Sequence, residues 1–238
     1  MNVTLFVPCF VDQLYPGAAM AMVRVLERLG HRVDYREQIT CCGQPPFNAG
    51  YWEEARSVAS RVLRILSDAE VIVVGSGSCG AMLRVFYPEL FHDRPEQAAA
   101  ETLAARTFEF SEFLIKKLGV ADVGARLEAT VTFHDGCHGL RELGVKQAPR
   151  TLLSHVRGLT LVEMEDAETC CGFGGTFAVK MPEISTGMGQ AKLDRVLATG
   201  CDYLVSNDLS CLMHLKGMAD KRSRPLRVLH LAEVLEQT

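Results

Sequence analysis

No stretch of the 238-residue sequence is apolar over the length a bilayer demands, so a membrane-spanning helix is not expected. Positive charge is not in excess: 25 Lys and Arg stand against 29 Asp and Glu, and no basic stripe is present, which argues against a nucleic-acid partner. The apolar run from Asn2 to Val7 has no basic segment ahead of it and is broken by Asp12, so it reads as a first strand and not as a signal peptide. The compact cysteine run of bacterial ferredoxins is missing. So are the dinucleotide glycine fingerprint and a Walker lysine, although Gly75-Ser76-Gly77-Ser78 is a glycine-rich turn. A chain of this length, 48% hydrophobic, can build one large or two small cores without disulfide staples. A cytoplasmic address is expected, and reduced thiols there bind metal or do redox work more often than they form bridges.

What is abundant is cysteine in order. Cys9, Cys41-Cys42-Gly43 and Cys79 in the first half are answered by Cys137, Cys170-Cys171-Gly172 and Cys211 in the second. The intervening gaps are 31 and 36 residues in the first set and 32 and 39 in the second, which points to an internal duplication holding a metal or metal cluster. The ninth cysteine, Cys201, has no counterpart and is expected to be structural.

Periodicity supports the duplication. In the first half, strands are expected at Asn2 to Val7, Arg32 to Tyr35 and Val71 to Val74, with helices through Pro16 to Leu29, Trp52 to Ser67 and Glu96 to Arg106. Phe108 to Leu114 reads as a short strand entering a helix. In the second half, Thr130 to Phe133, Leu159 to Met164 and Tyr203 to Val205 read as strands. A helix interrupted near Pro149 is expected over Arg141 to Arg157, and a long one over Glu183 to Thr199. Val228 to Leu235 echoes Phe108 to Leu114. The expected fold is therefore α/β: two similar βαβ-type halves, residues 1–125 and 126–238, with mostly parallel sheets and helices on both faces. The linker should fall between Gly119 and Ala129.

In such sheets ligands sit beyond the carboxyl ends of strands, where Cys9, Cys137, Cys79 and Cys211 all fall, so the four thiols of each half can converge. Neighbouring side chains of a regular strand point to opposite faces. Each Cys-Cys pair can therefore share a ligand only where the backbone leaves extended geometry, and the following glycine permits that turn. Four thiolates suit tetrahedral zinc or an iron-sulfur cluster. Their dispersal over three loops and some seventy residues favours the larger cofactor, with zinc as the alternative. His134, His138 and His214 flank the second set and are candidates for ligation, for hydrogen bonding to a cluster sulfur or for proton movement. His31, His92, His155 and His230 have no motif around them. Asp135 and Arg141 have two readings, contact with a substrate carboxylate or capping and solvation.

The segments Cys41-Cys42-Gly43-Gln44-Pro45-Pro46-Phe47-Asn48-Ala49-Gly50-Tyr51, His134-Asp135-Gly136-Cys137-His138-Gly139-Leu140-Arg141-Glu142-Leu143-Gly144 and Cys170-Cys171-Gly172-Phe173-Gly174-Gly175-Thr176-Phe177 resemble the CCG cysteine-rich proteins. With Ser206-Asn207-Asp208-Leu209-Ser210-Cys211-Leu212-Met213-His214, they are most similar to the lactate-utilisation protein A family, and the similarity runs end to end. The resemblance implies an iron-sulfur electron-transfer subunit of a multi-protein L-lactate oxidation system, with the eight paired cysteines as cluster ligands and [4Fe-4S] as the cluster type. It also implies a ferredoxin-like iron-sulfur partner and a third lactate-utilisation component, so the chain is expected to be a non-autonomous part of an oxidoreductase. Related domains occur in heterodisulfide reductase and in the iron-sulfur subunits of glycolate oxidase and anaerobic glycerol-3-phosphate dehydrogenase. The family often ends each repeat in Cys-x-x-Cys; here Ser76-x-x-Cys79 and Asp208-x-x-Cys211 replace the first cysteine. That departure speaks against a five-thiolate cluster and leaves a four-ligand one, or one ligated partly by oxygen. Two other readings from the residues are a zinc-thiolate protein and a metal-free scaffold for partner subunits.

Overall fold

The computed structural model describes residues 1–238. Its first half runs β1 (Asn2–Phe6), α1 (Cys9–Leu14), α2 (Pro16–Arg28), β2 (Arg32–Tyr35), α3 (Gln44–Asn48), α4 (Trp52–Ile65), β3 (Ile72–Val74), α5 (Gly77–Ala81), α6 (Tyr87–Leu90), α7 (Gln97–Ala105), β4 (Thr107–Glu109) and α8 (Phe110–Glu112). Wider helical turns at Met82–Phe86 and Phe113–Lys117 extend α5 and α8. The second half runs β5 (Arg126–His134), α9 (Cys137–Arg141), α10 (Gln147–Ser154), β6 (Arg157–Leu161), α11 (Thr176–Lys180), α12 (Pro182–Ala198), β7 (Tyr203–Ser206), α13 (Leu209–Lys221), β8 (Arg227–His230) and α14 (Leu231–Glu236).

Each half folds into a four-stranded, wholly parallel sheet, in the orders β2-β1-β3-β4 and β6-β5-β7-β8. The expected fold class and the two similar halves are thus observed. In both sheets the chain turns outward in opposite directions from the two central strands, β1 and β3 or β5 and β7. The crevice at that switch point is where α/β sheets hold ligands.

Side-chain alternation sorts the strands between cores. Val3 and Leu5 of β1, Val73 of β3, Val131 and Phe133 of β5 and Val205 of β7 enter one shared core. Helices α2, α10 and α14, with the segment from Phe110 to Leu114, fill the same space between the sheets. The opposite faces are covered separately: Phe6, Ile72 and Val74 pack against α4, α6 and α7, and Leu204 packs against α12 and α13. The outer helices α4 and α12 bury the same spacing, Ala55, Ala59, Val62 and Leu63 against Ser185, Gly189, Lys192 and Leu193. The apolar stripe of α4 is one an amphipathic helix requires, whereas α12 places a fully buried lysine where α4 has valine.

Three expectations need correction in detail. Of the helix expected over Arg141 to Arg157 with an interruption near Pro149, only α10 forms, uninterrupted at Pro149; α9 ends at Arg141 and Arg157 already opens β6. Pro149 is the third residue of α10, where the first-turn amide it lacks would have had no intrahelical partner. β5 begins at Arg126, which confines the irregular linker to residues before it, and β6 lies slightly earlier than Leu159 to Met164.

Candidate metal-sulfur centre

The local folding that places the thiols is the same in both halves. Cys9 and Cys137 open α1 and α9 immediately after the first strand, while Cys79 and Cys211 are the third residues of α5 and α13, immediately after β3 and β7. All four therefore stand in first helical turns, whose unpaired amides and positive dipole end favour thiolates. The Cys-Cys pairs lie in irregular backbone, and each is followed by a left-handed glycine, Gly43 at φ +84° and Gly172 at φ +87°. That conformation turns the Gly43 and Gly172 amides back onto Cys41 and Cys170, each donating to Sγ at 3.4 Å. Phe173 N–H donates to Cys171 Sγ at 3.5 Å.

All nine cysteines are free thiols, and the eight repeated ones form two tetrads with matching burial. Cys9, Cys41, Cys137 and Cys170 are half-buried; Cys42, Cys79, Cys171 and Cys211 are buried. In the first tetrad Cys9 Sγ donates to Cys41 Sγ at 4.0 Å. In the second, Cys171 Sγ and Cys211 Sγ lie within 4.8 Å of each other. One sulfur of each tetrad is shifted toward the thiolate. Hydrogen bonds from Cys42 and Cys9 hold Cys41 well below the ordinary thiol range, and Cys170 is lowered by Cys137 and Cys171. Interaction with Cys41 or Cys170, together with burial, pushes Cys9, Cys42, Cys137 and Cys171 upward. Loading every sulfur as thiolate in so small a volume requires positive charge among them. The donor set therefore fits a thiophilic metal or metal-sulfur cofactor.

Both tetrads open onto one cavity of about 240 Å³ between the halves. Phe10, Phe173, Pro8 and Pro45 give it apolar walls, and Gln44, Asn48, Ser78, Thr176 and Ser210 give it polar ones. No Lys or Arg lines it, and His138 is its one histidine. Across its floor the halves are tied by the two residues that stand where the broader family has cysteine: Ser76 Oγ donates to Asp208 Oδ1 at 2.6 Å, and Ser78 N–H donates to the same oxygen at 3.2 Å. Asp208 is 3% exposed. The backbones approach closely here, since a Cβ on Gly77 would lie 2.6 Å from Gly139 Cα.

The histidines fall in different places. His138 faces the cavity with its ring edge-on to Phe86. His214, on α13, turns away toward α12 and packs edge-on against Phe173. His134 ends β5 behind the second tetrad, 1% exposed, with neither ring nitrogen hydrogen bonded. Burial, and then Lys192 nearby, lower its pKa to about 3, so the ring is neutral. One of its nitrogens, Cys171 Sγ and Cys211 Sγ all lie within 4.8 Å of one another. His230 caps α14: its Nδ1 accepts from Ala232 N–H, which leaves Nε2–H to donate to the carbonyls of Gly75 and Asn207 at 3.1 Å each.

Of the two substrate-contact candidates, Asp135 is fully buried and held by both terminal nitrogens of Arg150 at 2.9 and 2.8 Å, so its charge is already matched. Arg141 lines a separate, open groove with Lys146, Glu163 and Glu168. Cys201 lies outside both tetrads beside Thr199. Sequence reasoning missed Lys192, whose Nζ donates to the carbonyls of Asp166 and Ala167 at 2.9 and 2.7 Å and so braces the approach to Cys170. Its signal was a lysine in phase with the buried stripe of α12. Tyr87, whose hydroxyl donates to the Cys42 carbonyl at 2.8 Å, left no such signal.

The cysteine-rich domain family, CCG, matches this chain twice, at residues 3–84 and 131–216, one match in each half. Lactate utilization protein A of Geobacillus kaustophilus (strain HTA426) is 48% identical over 99% of this chain and 98% of its own length. The chain belongs to the lactate utilization protein A family. Family members from Bacillus cytotoxicus and from Exiguobacterium sp. (strain ATCC BAA-1283 / AT1b) are each 46% identical over 99% of the chain, covering 98% and 97% of their own lengths. The fold is also found in a crystal structure of a hypothetical protein from Helicobacter pylori, at a TM-score of 0.66 and 11% identity. That match covers 98% of this chain and 48% of the other, so the chain spans about half its length. In this member of the lactate utilization protein A family, no helix is long and apolar enough to cross a membrane.

Proposed function

We propose that this chain is the iron-sulfur electron-transfer subunit of a multi-protein, cytoplasmic system that oxidises L-lactate to pyruvate. Cys9, Cys41, Cys42 and Cys79 hold one centre, and Cys137, Cys170, Cys171 and Cys211 hold the other, each with a [4Fe-4S] cluster. The repeat units are residues 1–125 and 126–238. The observation that carries the reading is the convergence of two matched thiol tetrads on one cavity, each tetrad at the switch point of its own sheet. The name of the 48% identical relative, lactate utilization protein A, supports the lactate system and, through its letter, companion proteins. Those companions are a ferredoxin-like iron-sulfur protein and a third component.

Iron-sulfur clusters, when bound, supply one-electron transfer at a potential set by charge, hydrogen bonding and exposure. The chain's own contributions are physical. Amides of Gly43, Gly172 and Phe173 donate to cysteine sulfurs and favour the more negative, reduced state. Phe10 and Phe173 pack edge to face at 6.1 Å beside the cavity and limit water. Asp208 and Ser76 fix the spacing of the halves, on which the rate of transfer between centres depends.

The test is iron, acid-labile sulfide and zinc analysis of protein purified without oxygen, read with visible and electron paramagnetic resonance spectra. Iron and sulfide near about four per tetrad with a reducible signal are expected from four thiolates per cluster. Stoichiometric zinc without sulfide after attempted reconstitution would replace this reading with a zinc-thiolate protein.

A further inference from the structure

Two tetrads that match in burial and in the glycine amide's donation to the first sulfur of the pair differ in what stands behind them. Three residues ahead of Cys9 the first half has Phe6, fully buried in an apolar core. Three residues ahead of Cys137 the second half has His134, equally buried on the same outer face of its sheet. An imidazole in that position should find hydrogen-bond partners, because buried polar groups in folded proteins nearly always do. His134 finds none for either nitrogen. Ser206 Oγ donates to its backbone carbonyl only, so the side chain has no part in holding β5 to β7. What the ring does have is sulfur: one nitrogen lies within 4.8 Å of both Cys171 Sγ and Cys211 Sγ. These are the two buried thiols of the tetrad, and both reach the cavity wall.

We propose that His134 is a nitrogen ligand of the second centre, making it a mixed thiolate-imidazole site beside an all-thiolate first centre. The inference rests on the metal-sulfur reading of the tetrads and goes beyond it. An imidazole is a ready ligand for iron and for zinc, and its lone pair would answer the unmet hydrogen-bonding capacity of the ring. Where the imidazole takes the place of a thiolate, a neutral nitrogen replaces a negative charge and reduction becomes easier, as nitrogen ligation does in other iron-sulfur proteins. The second centre is then the higher-potential one, and electrons entering through the first run downhill to it across the shared cavity. The first half cannot do the same, because Phe6 offers no donor.

The experiment uses the full chain, reconstituted anaerobically with iron and sulfide and reduced, in unlabelled form and with 15N-histidine. Pulsed electron paramagnetic resonance reads nitrogen directly bound to the paramagnetic iron, and no substitution is needed. Strong histidine-nitrogen modulation that changes on 15N labelling is expected in the wild-type chain and in Cys42→Ser, where the first centre is disabled. It should be absent in His134→Phe, which copies the first half, and retained in His214→Phe. The first centre's spectrum in His134→Phe, with the circular dichroism of that variant, reports that the chain is folded. His134→Gln should likewise lack the modulation. A cluster that shows no coupled histidine nitrogen, or modulation that survives in His134→Phe, would overturn the ligand while leaving the electron-transfer reading intact. A chain that takes up neither iron nor sulfide would overturn both.

Discussion

At the scale of single residues, the least conventional group is Asp208, a carboxylate at the junction of two halves with Ser76 Oγ and Ser78 N–H as its partners. Asp208→Ala takes the acceptor from Ser78 N–H and leaves Ser76 Oγ only the neutral Ser78 Oγ at 2.9 Å, which costs about 2 kcal/mol where the partner was charged. A urea midpoint lowered to that extent, with the slope unchanged, is the expected outcome; an unaltered midpoint would mean that solvent replaces the carboxylate. Glu109 makes a second residue-scale prediction. It is 1% exposed at the start of α8, where Oε2 accepts from Ser111 and Glu112 amides. Burial outweighs those bonds and raises its carboxyl from 4.5 to about 7. The native state therefore holds this proton more tightly than the unfolded chain does. The associated stability is complete below about pH 4.5 and is lost as pH rises through 7, at most about 3 kcal/mol in all. Glu109→Gln should gain on the wild type by a comparable amount between pH 5 and pH 8 in urea titrations. Parallel pH profiles for the two proteins would refute the assignment.

At the scale of elements, the two Cys-Cys-Gly turns carry the chemistry, and their glycines were legible because paired thiols cannot face one ligand from a regular strand. How tightly each turn is held was not legible. A Cβ on Gly172 would stand 2.5 Å from the Ser185 carbonyl oxygen of α12, whereas one on Gly43 would find Ala55 O at 3.4 Å. Both glycines have left-handed backbone, which costs an L-residue about 1–2 kcal/mol. Gly172→Ala adds a backbone clash to that cost. It should destabilise more than Gly43→Ala and lower iron per chain selectively at the second centre, as read by urea unfolding and metal analysis; equal effects would contradict the asymmetry. The helix that contains Pro149 teaches a related lesson. Proline was read as an interruption, but in the first turn of α10 it breaks no hydrogen bond, and the chain had already left α9 at Glu142.

At the scale of the whole molecule, the halves share a core and a cavity while each supplies its own tetrad. Cys42→Ser and Cys171→Ser should therefore each remove the iron of one centre and leave the other, giving about half the wild-type iron and sulfide where all four thiolates are needed. Loss of all iron from either variant would show that the centres assemble only together. The shared core also predicts one cooperative unfolding transition, since Val131, Phe133, Leu231 and Leu235 of the second half pack with Val3, Leu5 and Phe110 of the first. Residues 1–125 expressed alone should expose that face and fail to give a soluble, cooperatively folding unit.

The duplication, the parallel α/β grammar and the two sets of four cysteines were determined by the sequence, because they depend on order and period along the chain. Strand ends place Cys9, Cys79, Cys137 and Cys211 at ligand-binding positions whatever the surroundings. Tertiary structure alone decided the rest. It turned the two switch points toward one cavity, brought Ser76 to Asp208 across the junction and put Lys192 and His134 behind one tetrad where Val62 and Phe6 lie in the other half. Such relations join residues far apart in the chain. Local period reports which face of an element is buried, but not which side chain of another element meets it there.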